Sequence, residues 1–143
     1  MNTTTFAIDI AKSVFQLHWV EPQSGQICRR QLTRAKVLNF FAQRQPARVA
    51  MEACGSAHHW GRTAQRLGLA PRLMAAEFVR PYRKRQSVKN DRADAEAILI
   101  ALRSPGMRFV PVKTEAQQQR LAWHSLRIGW VEERTALFNR VRG

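Results

Sequence analysis

Apolar and polar residues alternate along the first part of the chain with the period of a β-strand. In the first predicted strand, Phe6, Ile8 and Ile10 would share one face, while the opposite face would carry small or polar residues and end at Asp9. Similar patterns recur further along. The predicted strands are 4–10, 14–20, 27–32, 48–52 and 72–76.

Between and after these strands, apolar residues three and four positions apart predict helices. The predicted helices run from the Thr33 cap to Pro46, from the Ser56 cap to Gly68, and over about 90–103. The order is β-β-β-α-β-α-β-α, with the first three strands as an antiparallel meander. It predicts an α/β fold in which helices pack on a mixed central sheet.

The tail, about 114–141, predicts one long helix with two apolar stripes. One stripe is Leu121, Ile128, Val131 and Phe138, and the other is Trp123, Leu126, Trp130, Leu137 and Val141. A helix that is apolar on two sides needs partners on two sides. We therefore expect a globular domain over 1–113, followed over 114–143 by a truncated helical linker or dimerisation helix that makes a homo-oligomer.

The composition is that of one ordinary globular domain of 143 residues with an apolar share of 45%. There is no run of about 18 apolar residues and no signal-peptide pattern at the N-terminus, so we expect no membrane segment. Cys28 and Cys54 suit neither a disulfide framework nor a zinc site, and the predicted compartment is the cytoplasm.

The charge is strongly one-sided, with 24 Lys plus Arg against 10 Asp plus Glu and a net charge of +14. Such a domain is typical of proteins that bind polyphosphate, because each neutralised phosphate releases counterions. Tyr82 lies in the densest basic run and could stack on a base or sugar. The predicted nucleic-acid-binding residues are Lys12, Arg80, Arg83, Lys84, Arg85, Lys89 and Arg92.

Four acidic residues are placed so that they could converge. Asp9 and Glu52 each follow a small residue by two positions at the end of a predicted strand, so they would emerge side by side if those strands are neighbours. Asp91 and Asp94 lie three apart, on one side of a helix whose stripe continues to Ile98. Each acid also has a simpler explanation: a bond to a backbone amide, a pair with an arginine, or a favourable place in a helix's first turn.

Four close carboxylates cannot all ionise without neutralising cations. Oxygen ligands with no thiolate or imidazole nearby select Mg²⁺ or Mn²⁺. Two such ions, typically ~3.5–4 Å apart, activate an attacking oxygen and stabilise the leaving oxygen of a phosphodiester. We therefore predict that Asp9, Glu52, Asp91 and Asp94 are both the metal ligands and the catalytic residues. His58 and His59 beside Cys54 lack further ligands for zinc.

Three stretches of the chain resemble the sequence blocks of insertion-sequence transposases with a DEDD motif. They are Phe6-Ala7-Ile8-Asp9-Ile10-Ala11-Lys12, Met51-Glu52-Ala53-Cys54-Gly55 and Lys89-Asn90-Asp91-Arg92-Ala93-Asp94-Ala95. That family includes the pilin-gene invertases and the bridge-RNA-guided recombinases. The resemblance runs in the same order along the whole chain. It implies a RuvC-like fold of the RNase H type, in which the four acids bind Mg²⁺ and act in DNA strand exchange.

The same resemblance implies DNA as a partner and a structured guide RNA as a second ligand. Family members are considerably longer and carry a small domain with a serine nucleophile, which has no counterpart here, so we do not expect full recombination from this stretch alone. Two other functions remain open at this point: a structure-selective endonuclease of the same fold, and a non-catalytic, truncated module that binds nucleic acid.

Overall fold

The computed structural model describes residues 3–83 and 91–143, with the backbone alone for 91–93. It divides into two compact units, Met1–Val112 and Lys113–Gly143. The first unit contains a six-stranded sheet and the helices packed on it, and the second consists mainly of one helix.

The sheet has the strand order β3-β2-β1-β4-β5-β6. The first three strands form the predicted antiparallel meander, β4 and β5 run parallel to β1, and the short β6 is antiparallel to β5. The strands are β1 (Thr4–Ile10), β2 (Val14–Val20), β3 (Ile27–Thr33), β4 (Ala47–Glu52), β5 (Ala70–Met74) and β6 (Phe109–Val110). The helices are α1 (Arg34–Ala42), α2 (Ala57–Arg66), α3 (Ala76–Val79), α4 (Asp91–Leu102) and α5 (Glu115–Arg142), with a 3₁₀ turn at Arg80–Tyr82. This mixed sheet with flanking helices is an α/β fold of the RNase H-like type.

The two faces of the sheet carry different packing. On one face, large side chains such as Phe6, Phe15 and Leu17 form the main core together with α1 and α2. On the other face, Ala7 and Ala50 are fully buried beneath α4. Because these residues are small, α4 can lie close to β1 and β4 on the face that also carries the strand-borne acids.

One strand prediction is wrong by two residues. The pattern predicts a strand at 72–76, whereas β5 is Ala70–Met74 and includes Pro71, paired with Val49. In the part of the chain that the structure describes, β6 pairs only with Leu73 and Met74, so β5 has no second neighbour at Pro71. A missing N–H is tolerated at such an edge position.

The helix ends are only partly those predicted. Thr33 and Ser56 occupy the N-cap positions of α1 and α2, but neither side chain makes a capping hydrogen bond. Gly68 follows α2 with a φ of +72°, as expected for a residue that ends a helix. Thr114 caps α5 in a reciprocal pair with Gln117.

In α5 the apolar residues of both predicted stripes are exposed within the unit that contains them, among them Trp123 (68%) and Trp130 (63%). The helix is 28 residues long. No helix of the described residues is both long enough and apolar enough to span a bilayer.

Candidate active site

Asp9 and Glu52 come from neighbouring parallel strands. Ala7 of β1 pairs with Ala50 of β4, and each acid lies two residues further along its own strand. Because side chains two apart in a strand share a face, both carboxylates lie on the α4 side of the sheet at the same end. Both residues are partly buried. The convergence predicted for these two strands is therefore a consequence of their parallel register.

Asp94 comes from the first turn of α4. Ile98 and Ala101, which continue its stripe at helical spacing, are both buried. Asp94 therefore extends the buried stripe and is itself partly buried. The backbone of Asp91 is the first residue of α4, but its side chain lies outside the described residues, so its predicted role stays a prediction.

Arg83 joins the acids from the strand and the helix. Its Nη2 donates to Glu52 Oε2 at 2.6 Å, and its Nε lies 3.0 Å from Asp94 Oδ1. The exposed fraction of the side chain is 38% for Arg83, against 23% for Glu52 and 15% for Asp94. One guanidinium therefore bridges two carboxylates, and it does so through two different nitrogen atoms.

These residues line a single cleft of about 260 Å³. Its lining residues are Asp9, Ile10, Ala11, Glu52, Cys54, Arg83 and Asp94. Three of the four predicted acids are thus brought together. The sequence-based argument for a site of oxygen ligands did not include Cys54, which lines the same cleft with its Sγ 3.5 Å from Ser56 Oγ.

The donor set of the cleft suits a hard divalent cation, since three carboxylates supply oxygen ligands. With the side chains as they lie, no three His, Cys, Asp or Glu residues in the described parts of the chain are grouped closely enough to hold a metal ion. Arg83 already supplies a positive charge between Glu52 and Asp94. The residues therefore fit a metal on the condition that Arg83 gives up its two partners.

The predicted nucleic-acid-binding residues lie in different environments, and several of them fall outside the described residues. Lys12 is exposed directly after the cleft residue Ala11, and Arg80 is exposed as well. Arg83 is paired with carboxylates in this structure. Lys84, Arg85 and Lys89, together with the side chain of Arg92, lie outside the described residues. Tyr82, predicted as a stacking residue, is partly buried and packs against the cluster beneath α4.

A second cleft, of about 470 Å³, was not foreseen from the sequence. Arg48 of β4, Arg72 of β5 and Arg103 after α4 line it, together with Phe109, whose ring lies 5.1 Å from the Arg72 guanidinium carbon. Among the residues that the structure describes, no acidic side chain lines this cleft. The three arginines are far apart in sequence. The pairing of β4 with β5 brings Arg48 and Arg72 together, and the packing of α4 on the sheet adds Arg103.

Comparison with known proteins finds relatives that are all named as transposases. The chain is 50% identical over all 143 residues to a "Probable family 20 transposase" from Pseudomonas aeruginosa, and it covers 42% of that protein. It is 43% identical over 136 residues (95% of the chain, 37% of the relative) to the transposase for insertion sequence element IS1111A from Coxiella burnetii. It is 39% identical over 140 residues (98% of the chain, 41% of the relative) to the transposase for insertion sequence element IS1328 from Yersinia enterocolitica.

The chain therefore spans about two fifths of the length of the curated relatives it matches. No protein-family model matches it. All three relatives are named as transposases, which supports the coarser part of the resemblance found in the sequence.

Proposed function

We propose that this chain is the RuvC-like, N-terminal catalytic domain of a DEDD-motif DNA transposase or site-specific recombinase. The observation that carries the proposal is the meeting of Asp9, Glu52 and Asp94 in one cleft, from two strands and a helix. The relatives named as transposases match this chain over nearly its whole length. Catalysis would consist of DNA strand cleavage and exchange.

The acids would hold Mg²⁺ or Mn²⁺, with Asp91 as the fourth ligand. When bound, the metal ions would activate an attacking oxygen and stabilise the leaving oxygen of a phosphodiester. Asp9 and Glu52 would keep their relative position because paired strands carry them, and Asp94 would be held by the packing of α4 on the sheet. Such rigid placement is what a preorganised site requires.

DNA would be the substrate and a structured guide RNA a second ligand. The net charge of +14 would supply most of the attraction for the phosphate backbone. Two exposed cations would position that backbone: Lys12, directly after the cleft residue Ala11, and Arg80, in the turn before Arg83. The arginine-lined cleft would add to the positive electrostatic potential. The apolar stripes of α5 would join copies of the chain.

The test combines metal binding with DNA cleavage. Mn²⁺ binding is measured by electron paramagnetic resonance in a Cys54→Ser background, which excludes a thiolate as the ligand. Asp9→Asn and Glu52→Gln should weaken Mn²⁺ binding and abolish any nicking of branched DNA, because each removes a charged ligand. Glu77→Gln, which removes an exposed acid from α3, is the control and should change neither. Equal Mn²⁺ affinity in all variants would overturn the proposal.

One observation favours a different function. The second candidate is a non-catalytic module that binds nucleic acid. It is supported by the side-chain positions, since no three metal-ligating side chains of the described residues are grouped as they lie. Such a module would bind an oligonucleotide equally well with and without Mg²⁺, and Asp9→Asn would leave that binding unchanged. A structure-selective endonuclease of the same fold would instead cut branched DNA by itself.

A further inference from the structure

We infer that Arg83 is a displaceable cation that couples divalent metal binding to phosphate binding at this cleft. The inference rests on the proposed function, because it takes the cleft to be a metal site. It goes further in saying what neutralises Glu52 and Asp94 before a metal ion binds, and what causes Arg83 to be replaced by the metal ion.

The first step is that Arg83 and a metal ion compete for the same oxygen atoms. Arg83 contacts Glu52 Oε2 at 2.6 Å and Asp94 Oδ1 at 3.0 Å. A Mg²⁺ ion binds carboxylate oxygens at about 2.0–2.1 Å and accepts little deviation from its octahedral geometry. An ion on either oxygen would lie close to the guanidinium, so steric overlap and like-charge repulsion make each cation weaken the binding of the other at these atoms.

The second step is that Arg83 keeps the cleft intact without metal. Glu52 and Asp94 are both partly buried and lie within reach of one side chain. Two such carboxylates repel each other unless a positive charge lies between them. The guanidinium supplies that charge through a charge-assisted hydrogen bond to Glu52 and an ion pair with Asp94. The strand end and the first turn of α4 are therefore linked before any ion binds.

The third step is that Arg83 can leave for another anion. Its side chain is 38% exposed, more than either of its partners, and it follows the 3₁₀ turn that carries the exposed Arg80. A guanidinium bound to carboxylates recognises phosphate by the same forked geometry. A phosphate backbone at the mouth of the cleft would draw Arg83 away and free both carboxylates for metal.

Metal and phosphate would therefore each favour the binding of the other. Thermodynamic linkage requires the effect to be equal in both directions. Coupling between two sites usually lies in the range of about 5–150-fold. We expect the lower part of that range, because the Arg83 pairs are partly solvated.

The test measures Mn²⁺ affinity with and without an oligonucleotide in the Cys54→Ser background. Three proteins are compared: the parent, Arg83→Gln, and Arg29→Gln, which removes the same charge from an exposed site on β3. Arg83→Gln should bind Mn²⁺ about 5–20-fold more tightly than the parent, and the oligonucleotide should no longer increase its affinity. Arg29→Gln should retain the parent's Mn²⁺ affinity and the parent's gain on adding oligonucleotide.

The outcomes separate the coupling from the metal site itself. If the parent, Arg83→Gln and Arg29→Gln all bind Mn²⁺ with the same affinity and the same response to oligonucleotide, the role of Arg83 is overturned and the metal site stands. If none binds Mn²⁺ at millimolar concentrations, the metal site and the coupling both fail. Should Arg83→Gln unfold, Arg83→Lys replaces it. A lysine keeps the charge but lacks the fork, so its Mn²⁺ affinity should lie above that of the parent, and an unchanged affinity would reject the coupling.

Discussion

At the residue scale, Glu52 and Asp94 pair with Arg83, which the sequence predicts only as a nucleic-acid-binding residue. Strand periodicity places Asp9 and Glu52 on one face, and helical periodicity places Asp94 on the buried stripe of α4. The face on which each acid lies depends on local geometry alone, whereas the meeting of Asp9 and Glu52 also requires β1 and β4 to be neighbours. The pairing of Arg83 with Glu52 spans 31 positions and depends on how the chain after β5 folds back. Among so many basic residues, the sequence has no means of selecting this one.

The first prediction concerns the stability of this pairing. Replacing Asp94 with asparagine removes one of the two carboxylate charges that pair with Arg83. The free energy of unfolding in metal-free buffer should nevertheless change by less than about 1 kcal/mol, because partly solvated ion pairs contribute little. Urea denaturation followed by circular dichroism measures the change. A loss of several kcal/mol would mean that the pair holds the fold together and does not merely neutralise the cleft.

At the element scale, the position of α4 depends on the small side chains beneath it. Ala7 and Ala50 are fully buried against the cluster that includes Ile98 and Ala101 of α4. Any larger side chain there would push α4 away from the sheet and carry Asp94 with it. The position of Asp94 in the cleft therefore depends on how closely α4 packs on Ala7 and Ala50.

The second prediction compares one substitution on the two faces of β4. Ala50→Val and Ala47→Val each add two methyl groups to a buried position, and each should cost about 1–3 kcal/mol of stability through overpacking. Only Ala50→Val should also weaken Mn²⁺ binding, because only that face carries α4. Differential scanning calorimetry and a Mn²⁺ titration give the two readouts. Equal metal affinity in both variants would show that the position of α4 does not control the cleft.

The third prediction concerns a close approach between α2 and the end of the first unit. Gly61 is buried in α2, and an added Cβ would lie 3.0 Å from Val112 Cγ2. Alanine at this position gains helix propensity but presses on a stiff β-branched side chain. Gly61→Ala should therefore be more favourable in a Val112→Ala background than in the parent, by at least about 0.5 kcal/mol in a double-mutant cycle of urea denaturation. Simple additivity of the two changes would contradict this contact.

Hydrophobic periodicity predicts the long elements well, but it does not predict the bounds of β5 or the presence of the shortest elements. Strands with clear alternation, such as β1 and β2, lie where the pattern predicts them. The shift of β5 arises because Pro71 suggests a strand start, while the edge position makes proline acceptable inside the strand. The two-residue β6 and the four-residue α3 are too short to produce any periodic signal.

At the scale of the whole molecule, α5 is the helix whose apolar residues lack packing partners within its own unit. Its apolar stripes are exposed in the unit that contains them, while Ser125, Gly129 and Glu132 occupy a third, polar face. The fold class follows from the order of elements, whereas the partner of this helix depends on contacts that a single sequence does not contain.

The fourth prediction tests self-association through α5. Replacing Trp130 and Leu137 with glutamate places charges on one apolar stripe and should lower the weight-average mass in sedimentation equilibrium. Ser125→Glu is the matched control, because it adds a charge to the polar face of the same helix. An unchanged mass in the Trp130 and Leu137 variant, or an equal decrease in the control, would count against a helical interface.

The central position of β1 has a consequence for how the domain opens. This strand is hydrogen-bonded to β2 on one side and β4 on the other. Helix α4 packs on one of its faces, and Phe6 on the other face contacts Phe40 and Phe41 of α1. Backbone amides in such a strand exchange with solvent only when the domain opens globally. Amide hydrogens of Ile8 and its neighbours should therefore be among the slowest to exchange with deuterium, and those of the terminal β6 among the fastest in the sheet. Asp9 therefore extends from the strand that we expect to be the last to open.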